Sequence, residues 1–156
     1  MAVSAPLSHV VLVITAAVLF YVALTDFKHF KIRNELILVL VGLFVLHELL
    51  SGRWVFAHWN LAFAALMFGV MLYYYAQNLM GGGDVKILTV GFLWIGFNCA
   101  LLFAVLLAVS AAVHALAAKF EWVKVQPVGD HKRIPLAPSV AAAMILCFIL
   151  GCLQPM

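Results

Sequence analysis

The chain has 156 residues, of which 67% are hydrophobic and 10% charged. Soluble domains carry roughly a quarter charged residues, so a chain this short and apolar cannot cover a core with polar surface; lipid must be its solvent, which excludes a soluble globular domain. The formal net charge of +3 argues for no acidic partner, and the nine Lys and Arg gather in a few short loops, a topology signal and not a nucleic-acid patch.

Crossing the hydrocarbon takes about 20 residues of helix. The first apolar run extends from about Leu7 to Thr25 and stops at Asp26. No Lys or Arg precedes it and a basic cluster follows it, which suits a retained helix with its N terminus outside the cytoplasm and not a cleavable signal peptide. The second run covers about Asn34 to Leu50, and the third about Trp59 to Gln77, ahead of Gly81, Gly82 and Gly83. From Val85 to Ala118 the chain is apolar almost without break, too long for one ordinary span. The turn formers Gly96, Phe97 and Asn98 split it into two helices, the first rather short. A last run covers about Ile134 to Leu153.

The expected fold is therefore all-α: a polytopic membrane protein of about six transmembrane helices, one membrane-embedded domain over residues 1–156, with its N terminus outside. This topology puts Lys28, Lys31, Arg33, Lys86, Lys119, Lys124, Lys132 and Arg133 on the cytoplasmic side and leaves Arg53 outside. A single helix over Val85–Ala118 would carry the last basic cluster to the wrong side. The excursion from Lys119 to Arg133 reads as a solvated loop, with an interfacial helix bearing Phe120 and Trp122 as the alternative.

Topology then points to chemistry. Asp26 ends the first helix and Asp84 begins the fourth, so two sequence-distant carboxylates share one face of the membrane, where water arrives. Asp26 alone reads as an interfacial flank, and Asp84 alone as a helix cap. Beside them, Gly81, Gly82 and Gly83 give backbone without Cβ, open to positive φ and to close approach of an extended peptide. Two carboxylates about 4 Å apart repel by roughly 4 kcal/mol at an effective dielectric of about 20, near three pKa units, which keeps one protonated around neutral pH. The ionised partner can then activate water while the neutral one polarises a scissile carbonyl. That chemistry calls for no metal and no cofactor.

Other residues carry weaker signals. Lys86 can support the carboxylates or snorkel to the headgroups, and Asn34 can bond site backbone or cap the second helix. Cys99, Cys147 and Cys152 form no C-x-x-C pair, so they read as small buried hydrophobes without a disulfide framework. His9, His29, His47, His58, His114 and His131 form no H-E-x-x-H motif; most read as interfacial, His47-Glu48 as lying near the outer surface, and intramembrane His114 as a helix–helix hydrogen bonder. Tyr73, Tyr74 and Tyr75 read as an aromatic belt, and Gly69 and Ala141 to Ala143 as close-packing positions.

At these residues the chain resembles the type IV prepilin peptidases, GxGD-type intramembrane aspartyl proteases. Gly81-Gly82-Gly83-Asp84-Val85-Lys86 matches the second family motif. The stretch from Asp26 through Ile32 and Arg33 to Asn34 is similar to the family's D-x5-I-P-N pattern, with Arg33 in place of proline. The likeness extends to the start of the last helix, Ile134-Pro135-Leu136-Ala137-Pro138. It implies Asp26 and Asp84 as the catalytic pair, with Gly81, Gly82, Gly83, Lys86 and Asn34 shaping the site. The implied substrate is a prepilin-like or preflagellin-like protein with a short basic leader, cut at the cytoplasmic face of the inner membrane. The cytosolic insertion with paired C-x-x-C motifs found in larger members is missing here, so the resemblance is to the compact Flp-type or preflagellin subclass, without methyltransferase activity. Two other readings remain open at this level: a small transporter or channel subunit, since intramembrane acids also mark ion paths, and a noncatalytic pilus or secretion assembly protein.

Overall fold

Val11, Thr15, Leu19, Val22 and Asp26 recur at spacings of three and four residues, which places them on one face of a helix. All five are buried in the computed structural model, where they form the inward stripe of α1 (Ser4–His29). The structure describes residues 4–29, 32–52, 54–120, 126–128, 131–133 and 135–152. Lys31, Arg53, Trp122, Lys124, Ile134 and Leu153, which the sequence reading uses, lie outside these. α1 does not stop at Asp26 as expected. It runs on to His29, so Asp26 is a buried position of the helix and not its flank.

Five more helices follow among the described residues: α2 (Asn34–Ser51), α3 (Trp54–Ala76), α4 (Gly82–Ile95), α5 (Ala100–Lys119) and α6 (Ala137–Ile149). α1, α2, α3 and α5 are each long and apolar enough to cross a membrane. α4 has 14 residues and α6 has 13, so each rises about 20 Å against a hydrocarbon core of about 30 Å. The split near Gly96 is as expected, and so is the short fourth helix. Between α5 and α6 the described residues include two short strands, and the interfacial-helix alternative bearing Trp122 falls outside the described residues. β1 (Gln126–Val128) pairs antiparallel with β2 (His131–Arg133), with Pro127 opposite Lys132.

α1 packs on α2 and α6, and α4 on α2, α3, α5 and α6. α1, α2, α4 and α6 thus close a ring in which α1 and α4 stand opposite, with no Cα pair within 8 Å. α4 is buried along most of its length, the expected fate of a helix apolar all round. Its Trp94 fills the ring interior. The indole is fully buried, donates from Nε1 to the Leu40 carbonyl at 3.1 Å, and meets the Phe44, His47 and Phe148 rings at centroid separations of 5.7, 5.5 and 5.5 Å.

His47 and Glu48 lie near the end of α2 opposite Asn34. Both are buried, with His47 Nδ1 3.5 Å from Glu48 Oε1. Gly69 departs from expectation: it is exposed and a Cβ there would meet nothing, so it makes no close helix contact. Ala141 and Ala143 do pack into the core, while Ala142 faces outward.

The cysteines require a further correction. Cys99, in the α4–α5 turn, is joined by a disulfide to Cys152, just past α6, with Cα atoms 6.0 Å apart. Only Cys147 is free and buried. A pair separated by 53 residues leaves no local motif; helix packing alone brings it together.

The turn between α4 and α5 depends on Gly96, at φ 67° and ψ −175°, a region essentially reserved for glycine. A Cβ there would also collide with the Asn60 carboxamide of α3. Gly96→Ala is therefore expected to lower stability by about 1–3 kcal/mol, visible as a lower melting temperature in detergent; an unchanged melting temperature would contradict this account of the turn.

Candidate active site

One end of the bundle gathers the residues singled out by the sequence. The C-terminal end of α1 brings Asp26, the linker that follows brings Ile32 and Arg33, and the start of α2 brings Asn34. The end of α3 brings Tyr75, the start of α4 brings Gly81 to Lys86, and the start of α6 brings Ala137.

The two motif segments touch directly. Lys86 Nζ donates to Asn34 Oδ1 at 2.8 Å, tying the first turn of α4 to the first residue of α2. Asn34 is thus neither a cap nor a backbone partner; the N-cap of α2 is Arg33, with no side-chain cap bond. Lys86 is exposed, as a lysine near the headgroups should be, yet its ammonium is engaged. Arg33 has φ −74° and ψ 137°, extended backbone of the kind proline imposes, and its side chain pairs with exposed Glu35 at 3.1 Å. The local path suits a proline although the residue is arginine.

The glycine run works by close approach and not by positive φ. Gly81 is the extended N-cap of α4, Gly82 and Gly83 begin the helix, and none has left-handed φ. A Cβ at Gly82 would lie 3.4 Å from the Tyr75 ring, and one at Gly83 would lie 3.5 Å from the Ile32 side chain. A methyl group would just fit; a longer side chain would push the linker off α4. The left-handed residue in this connection is Asn78, at φ 58°. It closes α3 with Leu79 N–H donating to the Tyr74 carbonyl and Asn78 N–H to the Tyr75 carbonyl, the Schellman pattern.

Asp84 sits in the first turn of α4, three residues after the N-cap, where the helix dipole favours negative charge. Asp26 meets a second helix start. The Ala137 backbone N–H, at the head of α6, donates to Asp26 Oδ2 at 3.1 Å, a buried bond. The first N–H groups of a helix have no partner within it, and Leu136, the N-cap of α6, supplies no side-chain bond, so Asp26 caps α6 from another helix. The two shortest helices of the fold therefore each present an N terminus to one of the two aspartates. Among the described residues, no group of three or more His, Cys, Asp or Glu could hold a metal ion.

Behind this end, α5 grips α6. Ser139, almost fully buried, has its Oγ 3.1 Å from His114 Nδ1, and Ser110 Oγ lies 3.0 Å from the Leu107 carbonyl and 3.1 Å from the Ser139 carbonyl. His114 is the helix–helix hydrogen bonder expected. The contributions of Ala137, Ser139, Ile32 and Tyr75 were not legible in the sequence, because each acts through backbone or through contact across helices. The prolines flanking Ala137 were the available signal: they mark a helix start with unmatched N–H groups.

The family model of the type IV leader peptidase family matches residues 13–116, more than half of the chain. The chain belongs to this family. The match runs from within α1 to near the end of α5 and includes both aspartates; the α6 start that caps Asp26 lies beyond it. No curated protein and no solved structure matches the chain. This member of the family brings its two motif segments, 52 residues apart in sequence, together at one end of a helical bundle.

Proposed function

We propose that this chain is a membrane aspartyl endopeptidase, a single peptidase domain that removes the short basic leader from type IV prepilin-like substrates. Asp26 and Asp84 form its catalytic pair, and it acts without metal or cofactor. The observation that carries this reading is the meeting of each aspartate with a helix N terminus at the end where the two family motifs touch.

One carboxylate takes a proton from water as its oxygen attacks the scissile carbonyl, and the other, protonated, donates to the developing oxyanion. As the tetrahedral intermediate collapses, the first carboxyl passes its new proton to the leaving amine and a hydroxyl of the intermediate returns a proton to the second, which restores the starting state. The dipoles of α4 and α6 favour negative charge at this end and so help one carboxylate stay ionised beside its neighbour. Gly82 and Gly83, with no side chain beyond Cα, let Tyr75 and Ile32 lie close against the first turn of α4 and so hold the linker after α1 next to Asp84.

The aspartate end faces the cytoplasm of the inner membrane in this reading, with the N terminus outside. Lys28, Arg33, Lys86 and Lys119 all belong to that end of the bundle, which supports the orientation. A prepilin with a basic leader in the cytoplasm and a hydrophobic helix in the bilayer would present its cleavage bond at this depth. Co-expression with a tagged Flp-type prepilin tests the proposal: the pilin should shorten by its leader, and a pilin that stays full length would refute it.

Lys86 and Asn34 act in this scheme as a strap between the motif segments. Lys86→Met and Asn34→Leu are each expected to lower kcat/KM about 3- to 10-fold, the worth of roughly one exposed charge-assisted hydrogen bond. The double variant should be no worse than either single one. Full additivity would show that the two side chains act separately.

A further inference from the structure

The Cys99–Cys152 disulfide lies at the end of the bundle away from the aspartates. α4 starts beside Asp84 and runs its full length before the turn that holds Cys99. α6 starts against Asp26 and ends just before Cys152. Both sulfurs are thus about 20 Å along the helix axes from the motif end. Thiols facing a cytosol are kept reduced, whereas disulfides persist in oxidising compartments. The basic residues named above belong to the opposite end, which the positive-inside tendency assigns to the cytoplasm. Two independent features, one of charge and one of sulfur chemistry, therefore give the same orientation.

We infer that Cys99 and Cys152 are an oxidative maturation site, closed on the noncytoplasmic side by exchange with a dithiol-oxidising protein, and that the bond locks the α4–α5 turn to the end of α6. The thiolate of one cysteine attacks the oxidant's disulfide, forming a mixed disulfide and releasing one oxidant thiol. The second cysteine then attacks the sulfur of the first, forming the Cys99–Cys152 bond and releasing the other oxidant thiol. Two thiols of this chain are oxidised and one disulfide of the partner is reduced to a dithiol. Both cysteines are partly exposed, so a partner can reach them, whereas Cys147 is buried among apolar side chains and takes no part.

The bond ties together the two helices that serve the aspartates: α4 carries Asp84 in its first turn, and α6 caps Asp26 with its own. By closing a long loop it also restricts the unfolded chain. The inference bears on the orientation proposed above and does not depend on peptidase chemistry, so leader removal is not its readout.

The test uses the full chain expressed in cells that possess an extracytoplasmic dithiol oxidase and in cells lacking it. Thiols are quenched with acid, the protein is denatured, and a polyethylene-glycol maleimide counts the free cysteines by gel shift. In oxidase-proficient cells the protein should gain one adduct, at Cys147, and three after reduction. In oxidase-deficient cells it should gain three without reduction. Cys99→Ser, as a control, should gain two in either strain. Three adducts from proficient cells, or a bond that persists in deficient cells, would overturn the inference.

Discussion

Asp26→Asn and Asp84→Asn are each expected to reduce leader removal by about 10²- to 10⁴-fold, the usual contribution of a positioned acid or base, or further, while both proteins reach the membrane at normal levels. The two substitutions spare the fold for different reasons. At position 26 a carboxamide oxygen can still accept from the Ala137 N–H, so α6 keeps its cap. At position 84 the isosteric carboxamide keeps the side chain's shape and its acceptor oxygen, while a favourable charge in a helix first turn is lost, which contributes about 0.3–1 kcal/mol. Because a pair that shares a proton works as a unit, the double variant should be no slower than the worse single variant. Leader removal measured in membranes against the pilin band decides the point. Wild-type cleavage by either variant removes that residue from the catalytic pair.

Trp94→Ala carries the second large effect. The indole is fully buried where α2, α4 and α6 meet, and its removal leaves a cavity lined by Leu40, Phe44, His47 and Phe148. Truncating a buried aromatic costs about 3–5 kcal/mol in water-soluble cores. Here the lower end applies, because lipid is as apolar as the side chains and the loss is one of packing contacts. Trp94→Phe keeps most of the volume and gives up the bond to the Leu40 carbonyl, so its cost should be nearer 1 kcal/mol. Unfolding in mixed micelles separates the two variants; equal stability of Trp94→Ala and wild type would mean that the ring interior is not held by this side chain.

The course of the helices was largely legible. Apolar run lengths gave six segments, and Gly96 to Asn98 marked the break between α4 and α5. The two aspartate motifs showed where chemistry should gather. What escaped was whatever depends on one helix meeting another. Asp26 lies in phase with Val11, Thr15, Leu19 and Val22, so the buried stripe already contained it; reading the first charge as the end of a span concealed that phase. The α6 cap on Asp26 is a backbone group, silent in any side-chain pattern. The Lys86–Asn34 bond joins residues 52 apart, and the disulfide joins residues 53 apart. Gly81 to Gly83 were recognised as a place of close approach, and Tyr75 and Ile32 are what approaches.

The most direct test of the central claim is cross-linking in a Cys147→Ser background with the Cys99–Cys152 disulfide intact. Asp26→Cys is paired with Asp84→Cys in one protein and with Asn60→Cys, beside the Gly96 turn, in another, and each is treated with a short bis-maleimide in native membranes. A link is expected between positions 26 and 84 and none between 26 and 60. A link from 26 to 60 with none from 26 to 84 would place the two aspartates at opposite ends of the bundle and contradict that claim.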